Sequence, residues 1–256
     1  MRFVADSPQD MPWHVYTDKA GLYARFRWDY APELVAKVAS RTGLTPDHAV
    51  ADIGAGTGIL TQHFLDRAKR VYCVEPNVAM LREADSRLSS HPAFVSVRGR
   101  AEATGLPDNS VHLIVAGMAF DWFQPEEALR EFQRILSPVG WLAVFRYKVD
   151  GPLLRKMSGY LWELPQPPRS IRPGTNDPDR YMTVGYLTEE CKCSCEETFE
   201  QYIGGVSATE GAPSLGSPEY NESYAAHRRA FLALSVDGKL RMEYTCVATV
   251  GRLRQP

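Results

Sequence analysis

An acidic residue and three glycines near position 55 have the types and spacing to do chemistry. Asp52 ends a short apolar run, and Gly54, Gly56 and Gly58 follow at alternate positions. Glycine is needed where the backbone adopts positive φ, or where a ligand must approach with no Cβ in the way. We interpret the stretch as a strand, a tight turn and a helix. The turn would present a ligand to the unpaired N–H groups of the helix N-terminus.

The spacing of the glycines separates two kinds of ligand. A dinucleotide-binding loop has the pattern G-x-G-x-x-G. Gly54 and Gly56 fit its first two glycines, but Ile59 occupies the third place and Gly58 comes one residue early. The loop alone leaves open a methyl-donor site, a site for another nucleotide, and a glycine turn without a ligand.

A second acidic residue follows the next predicted strand. Residues 71–74 are continuously apolar, and Glu75 comes directly after them, 17 residues beyond Gly58. A carboxylate at such a strand end can accept hydrogen bonds from both hydroxyls of a ribose, as it does in NAD enzymes. The alternative is an acid that is only solvated. Asn77 is a suitable N-cap for a helix that follows.

Strands and helices that alternate along the chain would position these residues. Apolar runs predict strands at 50–53, 71–74, 94–97, 111–117 and 141–145. Helical spacing predicts helices after Pro32, along 60–68, after Asn77 and after Pro125. This order is typical of an α/β fold with a parallel sheet covered on both faces. Right-handed crossovers bring the loops after the strands to one edge, where ligands bind. Four such loops include residues 52–58, 75, 99–102 and 116–123.

Three segments outside this pattern carry open alternatives. The aromatic residues 1–30 form an arm that packs on the core, or a flap over the ligand. Residues 150–187 are irregular and form a surface excursion or a substrate cap that carries Tyr160 and Trp162. Beyond them we expect helices at 197–207 and 219–235 and a last strand at 240–250. Cys191, Cys193 and Cys195 share one face at strand period, which we favour over a zinc site because C-x-x-C pairs are lacking.

Composition narrows the classes of function. The 256 residues carry a formal charge of −2 without a basic block, so we expect no nucleic-acid partner. No apolar run approaches the roughly 18–20 residues of a membrane span, so we expect no membrane partner. The first residues lack the apolar core of a signal peptide. Nothing indicates a disulfide framework among five cysteines, and we expect a cytoplasmic location.

Several motifs together resemble those of one enzyme family. The D-x-G-x-G-x-G pattern of residues 52–58 resembles the first motif of class I S-adenosylmethionine-dependent methyltransferases. Residues 74–81 resemble the second motif of the small-molecule branch, the methyltransferase type 11 or UbiE-like proteins, and residues 99–107 resemble the third. The loop at 116–123, the helix and turn at 129–141 and the arm at 23–27 are also similar to that family. The resemblance covers residues 23 to about 147.

The resemblance implies the whole architecture. It implies a Rossmann-like, doubly wound and mostly parallel seven-stranded sheet, with helices on both faces and an antiparallel C-terminal strand. We expect a single domain over 1–256 with four parts: an arm (1–30), a cofactor-binding core (31–148), a probable cap (150–187) and a C-terminal completion of the sheet (188–256).

The same resemblance implies S-adenosylmethionine as cofactor, and separately we expect no metal. Asp52 would hold the amino-acid end of the donor, directly or through the loop, or would only fix the turn. The expected cofactor-binding residues are Tyr23, Arg27, Asp52, Gly54, Ala55, Gly56, Gly58, Glu75, Pro76, Asn77, Met80, Arg100, Ala101, Glu102, Ala116, Met118 and Trp122.

One residue departs from the family pattern and is our catalytic candidate. Asp121 stands where many members have His. It could act as a base or pair with a cationic acceptor, or its side chain could only cap the following turn. Tyr147, His14 and Arg27 are weaker candidates.

The predicted activity is in-line methyl transfer to a small-molecule acceptor. Alignment of the two reactants can supply roughly 7–11 kcal/mol of the barrier. The alternatives are a non-catalytic S-adenosylmethionine-binding protein and, less favoured, an NAD-linked oxidoreductase. The oligomeric state is left open.

Overall fold

The computed structural model describes residues 12–149, 151–161, 164, 181–183 and 185–254. Its centre is one seven-stranded sheet in the order β3-β2-β1-β4-β5-β7-β6. The strands are β1 (Ala49–Ile53), β2 (Arg70–Val74), β3 (Phe94–Val97), β4 (Val111–Gly117), β5 (Leu136–Lys148), β6 (Leu187–Glu197) and β7 (Leu240–Gly251). Strands β1 to β5 pair in parallel, and β7 runs antiparallel to both β5 and β6. The predicted mostly parallel sheet with an antiparallel last strand is confirmed.

Seven helices accompany the sheet in the described part of the chain. They are α1 (Ala20–Phe26), α2 (Pro32–Arg41), α3 (Val78–Leu88), α4 (Pro125–Ile135), α5 (Pro152–Leu161), α6 (Phe199–Ser207) and α7 (Pro218–Leu234). Proline occupies the first turn of α2 and α4, where its missing N–H costs no hydrogen bond. The side-chain oxygen of Asn77 accepts from the N–H groups of Ala79 and Met80, as predicted for the N-cap of α3. None of the described helices is long and apolar enough to cross a membrane.

Alternate residues of the strands bury on opposite faces of the sheet, as strand geometry requires. Val50 and Leu113 lie on one face with Val35 of α2. Ala51 and Ile114 lie on the other with Phe132 of α4. Both faces are covered, so the polar residues at the strand ends can face a ligand only at the edge of the sheet.

The predicted helix along 60–68 is wrong. The structure has only a short 3-10 helix, Thr61–Phe64. The N–H groups of His63 and Leu65 each bond the carbonyl three residues earlier, which is the 3-10 pattern. The Thr61 hydroxyl donates to the Asp52 carboxylate at 2.6 Å. This bond ties the segment back onto β1 and keeps the turn tight.

Two other boundaries differ from the sequence prediction. Strand β5 begins at Leu136 instead of Trp141, because Leu136 pairs with Val111 before the register shifts and Trp141 pairs with Leu113. The segment 150–187, predicted to be irregular, contains α5, whose Met157 is buried. Tyr160 is exposed, whereas Trp162 lies outside the described residues.

The C-terminal predictions are confirmed. Helices α6 and α7 and strand β7 lie within two residues of their predicted bounds. The three cysteines of β6 are half-buried on one strand face. Tyr202 of α6, Phe231 of α7 and Met242 of β7 pack together in a separate apolar cluster.

Candidate active site

A cavity opens at the edge of the sheet where the parallel strands end. It encloses about 690 Å³ of space that no protein atom fills, part of it open to solvent. The lining comes from the arm, the glycine loop and the loops after β2, β3 and β4. These residues are Trp13, Tyr16, Tyr23, Gly54, Gly56, Glu75, Pro76, Asn77, Met80, Arg100, Ala101, Glu102, Gly117, Met118, Ala119, Trp122 and Phe123.

The glycine loop turns sharply from β1 into this cavity. Gly54, Gly56 and Gly58 have φ of 68°, 58° and 78°, a region that favours glycine. A Cβ on Gly54 would stand 2.6 Å from the Cβ of Ala119. The glycine at this position therefore lets the loops after β1 and β4 meet.

The N–H groups of this loop already have acceptors within the protein. Gly54 and Ala55 donate to the carbonyl of Val74, and Gly58 donates to the carbonyl of Ala55. Gly56 donates to the carboxylate of Glu75 at 2.8 Å. A diphosphate cradle needs such groups directed at the ligand, and here they are directed inward.

Glu75 is the central polar group of the cavity. Its Oε2 accepts from the N–H of Gly56 and its Oε1 from the N–H of Asn77, at 2.8 and 2.9 Å. A carboxylate has about four acceptor sites, so each oxygen can take one further donor, such as a ribose hydroxyl. Burial raises the pKa of Glu75 to about 7.

Asp52 lies behind the loop and does not line the cavity. It is fully buried, its Oδ2 accepts from Thr61, and its Oδ1 has no hydrogen-bond partner among the described residues. Burial raises the pKa of Asp52 to about 7, and the nearby charge of Glu75 adds to the increase. This position fits the interpretation in which Asp52 shapes the turn and acts on a ligand through the loop.

The raised pKa of Asp52 predicts a pH-dependent stability. Between about pH 4 and 7 the unfolded chain has released this proton and the folded chain has not, so the free energy of unfolding falls as pH rises. We expect wild type to lose on the order of 2 kcal/mol relative to Asp52→Asn between pH 5 and pH 8. Urea unfolding of both proteins at each pH measures this. A difference that stays constant would contradict the assignment.

Asn77 joins the cavity floor to the N-terminal arm. Its Nδ2 donates to the carbonyl of Trp13 and to the hydroxyl of Thr17, at 2.9 and 3.1 Å. Tyr16 packs edge-on against Tyr23 and Trp122. The arm both packs on the core and covers the cavity, so the two interpretations of residues 1–30 are compatible in the part of the arm that is described.

Part of the cavity lining is apolar and has polar neighbours, as a nucleobase site requires. Pro76, Met80 and Ala101 line it. Glu102 accepts from the N–H of Gln124, which fixes the loop after β3 against the start of α4. The residues present therefore fit a nucleoside whose ribose bonds Glu75 and whose base lies against Met80.

Most of the expected cofactor-binding residues line this cavity, and five do not. Ala116 is a fully buried strand residue, as is Asp52. Ala55 packs against the core formed by β2 and α3, and a Cβ on Gly58 would meet Leu88 of α3 at 2.7 Å. Arg27 lines a different cavity. Twelve of the expected residues line the cavity, and their binding of the donor stays a prediction.

Five lining residues were not among the expected cofactor-binding residues. Trp13 and Tyr16 were recognised only as part of an aromatic arm. Gly117, Ala119 and Phe123 lie in the loop after β4, which was expected to reach the site. Their position after a predicted strand was the signal that could have identified them.

Asp121 lies beside the cavity in an ion pair. Its Oδ1 is 2.8 Å from Nη2 of Arg146 on β5, and the two side chains are 26% and 31% exposed. The neighbouring Trp122 lines the cavity. The pair holds the carboxylate toward β5, so a structural role for Asp121 is as well supported as a catalytic one.

Asp121→Asn distinguishes these roles. A general base contributes about 10²–10⁴-fold to the rate, whereas a partly exposed ion pair contributes about 1 kcal/mol or less. Because Asp121 pairs with Arg146, we expect kcat to fall by less than about tenfold. Steady-state kinetics of Asp121→Asn beside Arg146→Gln measures it, and a loss of about 100-fold in the first variant alone would restore the catalytic assignment.

Comparison with known proteins agrees with this geometry. Residues 51–144 match the family model described as a methyltransferase domain. An uncharacterized methyltransferase from Mycobacterium bovis is 36% identical over 126 residues, 48% of this chain and 48% of that protein. The chain carries a class I S-adenosylmethionine-dependent methyltransferase domain. The demethylmenaquinone methyltransferase of Renibacterium salmoninarum is similar to this methyltransferase domain and its flanks, at 25% identity over 79% of the chain and 82% of that protein.

A solved structure shares the fold of this chain. The YcgJ protein from Bacillus subtilis aligns with a TM-score of 0.53 at 17% identity, covering 87% of this chain and 99% of that one. The chain spans about half the length of the curated relatives it matches first. S-adenosylmethionine is the cofactor of this class of domain.

Proposed function

We propose that this protein transfers a methyl group from S-adenosylmethionine to a small-molecule acceptor. The observation that carries the proposal is the bond from the Gly56 N–H to the buried carboxylate of Glu75. It uses a loop N–H that a diphosphate would need. A nucleoside sulfonium has no phosphate and carries positive charge, which suits this site better than NAD does.

The residues around the cavity would bind and orient the donor. Glu75 would accept the ribose hydroxyls, and Pro76, Met80 and Ala101 would contact the adenine. The arm, through Tyr16 and Tyr23, would exclude water from the sulfonium end. The bound donor supplies an electrophilic methyl, which passes in line to the acceptor nucleophile as the bond to sulfur breaks and S-adenosylhomocysteine forms.

Charge and the relatives support a small acceptor. The formal charge of −2 gives no attraction for a nucleic-acid backbone. One relative is named as a demethylmenaquinone methyltransferase.

The test is methyl transfer with an unbiased acceptor panel. Purified protein is incubated with S-adenosylmethionine and a set of phenols, amines and quinols, and release of S-adenosylhomocysteine is measured. Acceptor-dependent release supports the proposal. Donor binding without release across the whole panel would instead favour a non-catalytic S-adenosylmethionine-binding protein.

A further inference from the structure

A second cavity lies on the C-terminal side of the arm. It is bounded by the end of α1, by α5, α6 and α7, and by strands β6 and β7, and it encloses about 1180 Å³, part of it open to solvent. Its walls are mostly apolar, with Phe26, Trp28, Met157 and Met242 among them. A cavity of this character favours an apolar molecule with a few polar groups.

Glu197 is a buried acid in the wall of this second cavity. The residue is 7% exposed, and its Oε1 accepts from Nε1 of Trp28 at 2.6 Å. No hydrogen bond reaches Oε2 from the described part of the chain. Because Glu197 lines the cavity, a donor group on a ligand can pair with this oxygen.

Two other polar residues of the wall bond each other. The hydroxyl of Tyr202 lies 2.5 Å from Nδ1 of His227. Burial lowers the pKa of His227 and raises that of Tyr202, so both are neutral near pH 7. This leaves the Glu197 carboxylate as the acidic group of the wall that a ligand's donor can pair with.

The side chains of Arg27 and Tyr23 lie between the second cavity and the cavity that Glu75 lines, which we call the donor cavity. Arg27 lines the second cavity, and its guanidinium lies 5.3 Å from the ring centre of Tyr23 and 6.0 Å from that of Tyr147. Tyr23 lines the donor cavity. A molecule in the second cavity is therefore separated from the sulfonium end of the donor, as the proposed function places it, by Arg27 and Tyr23, and these two side chains must turn aside before its nucleophile meets the methyl in line.

We propose that the second cavity binds the methyl acceptor, and that the acceptor is an apolar molecule with a hydrogen-bond donor, an amine or a hydroxyl, that Glu197 binds. The inference rests on the proposed function for the identity of the occupant as acceptor. Glu197 is a specificity residue in this account, because it holds the acceptor by a group other than the one that is methylated.

Binding of three probes tests the proposal without turnover. The probes 4-phenylbutylamine, 4-phenylbutanol and butylbenzene share an apolar body and differ in the donor group. Each is titrated calorimetrically into wild type, Glu197→Gln and Glu196→Gln, with and without saturating S-adenosylhomocysteine. Glu196 is the matched control, since it precedes Glu197 on β6 and pairs with Lys239 at the surface.

We expect Glu197→Gln to weaken the amine at least about tenfold, since a charge-assisted hydrogen bond is lost. Butylbenzene binding stays unchanged in Glu197→Gln, and all three probes bind Glu196→Gln as they bind wild type. A similar loss for the alcohol shows that the site also recognises neutral donors. Val206→Trp, which fills the cavity from α6, abolishes binding of all three probes and supplies a second variant if Glu197→Gln does not fold.

Three results would overturn the proposal. They are equal binding of the amine to wild type and Glu197→Gln, no binding of any probe, and displacement of every probe by S-adenosylhomocysteine. Failure of S-adenosylhomocysteine to bind would instead refute the proposed function, and probe binding would be read independently of it.

Discussion

Glu75→Gln is expected to raise the dissociation constant for S-adenosylhomocysteine about 100-fold. In the proposed binding mode Glu75 accepts two charge-assisted hydrogen bonds from the ribose, each worth about 1.5–3 kcal/mol, and neutralisation weakens both. The variant also creates a conflict, because both carboxylate oxygens accept backbone N–H groups, from Gly56 and Asn77. An amide can accept from one of them and must turn its NH₂ toward the other. Isothermal titration at pH 8 measures the change.

Glu126→Gln is the matched control for this substitution. Glu126 is an exposed residue in the first turn of α4, and its neutralisation should leave affinity unchanged. Circular dichroism confirms that both variants are folded. If Glu75→Gln bound S-adenosylhomocysteine as tightly as wild type does, the ribose would not lie against Glu75 and the account of the cavity would fail.

Gly54→Ala is expected to lower the free energy of unfolding by about 3 kcal/mol. A residue with a Cβ at the φ of 68° that Gly54 has costs about 1–2 kcal/mol. The new Cβ also stands 2.6 Å from that of Ala119, and relief of that overlap costs roughly 1–3 kcal/mol. Thermal unfolding should shift down by about 6–12 °C. Donor affinity should fall as well, because the loops after β1 and β4 are pushed apart.

The variants Gly105→Ala and Ala119→Gly separate the cost of backbone strain from the cost of the overlap with Ala119. Gly105 has φ of 75° with no atom within 4 Å of its Cβ position, so its variant shows backbone strain alone. The double variant with Gly54→Ala and Ala119→Gly removes the overlap and should recover more than half of the difference between Gly54→Ala and Gly105→Ala. Equal losses in Gly54→Ala and Gly105→Ala would show that the two loops do not meet closely.

The sheet could be predicted from sequence because its signals are local and strong. The apolar runs at 71–74 and 111–117 contain no polar stretch long enough to indicate a loop instead of a buried strand. Asn77 and Pro125 mark helix starts by chemistry that acts within one turn. The cavity followed from these elements, because parallel strands bring their ends to one edge.

The features that the sequence did not predict depend on contacts between distant parts of the chain. The segment 60–68 has helical periodicity, yet the bond from Thr61 to Asp52 holds it as a short 3-10 turn. The ion pair of Asp121 with Arg146 joins residues 25 positions apart. The second cavity unites Trp28 with Glu197, 169 positions away. No local pattern indicates such pairings, so the second cavity could not be predicted from the sequence.

Calorimetric titration of the wild-type protein with S-adenosylhomocysteine and with NAD tests the central claim most directly. At pH 8, where Glu75 is ionised, we expect one site for S-adenosylhomocysteine with a dissociation constant between about 1 μM and 1 mM. We expect no heat of binding from NAD. Saturable binding of NAD, with none of S-adenosylhomocysteine, would contradict it.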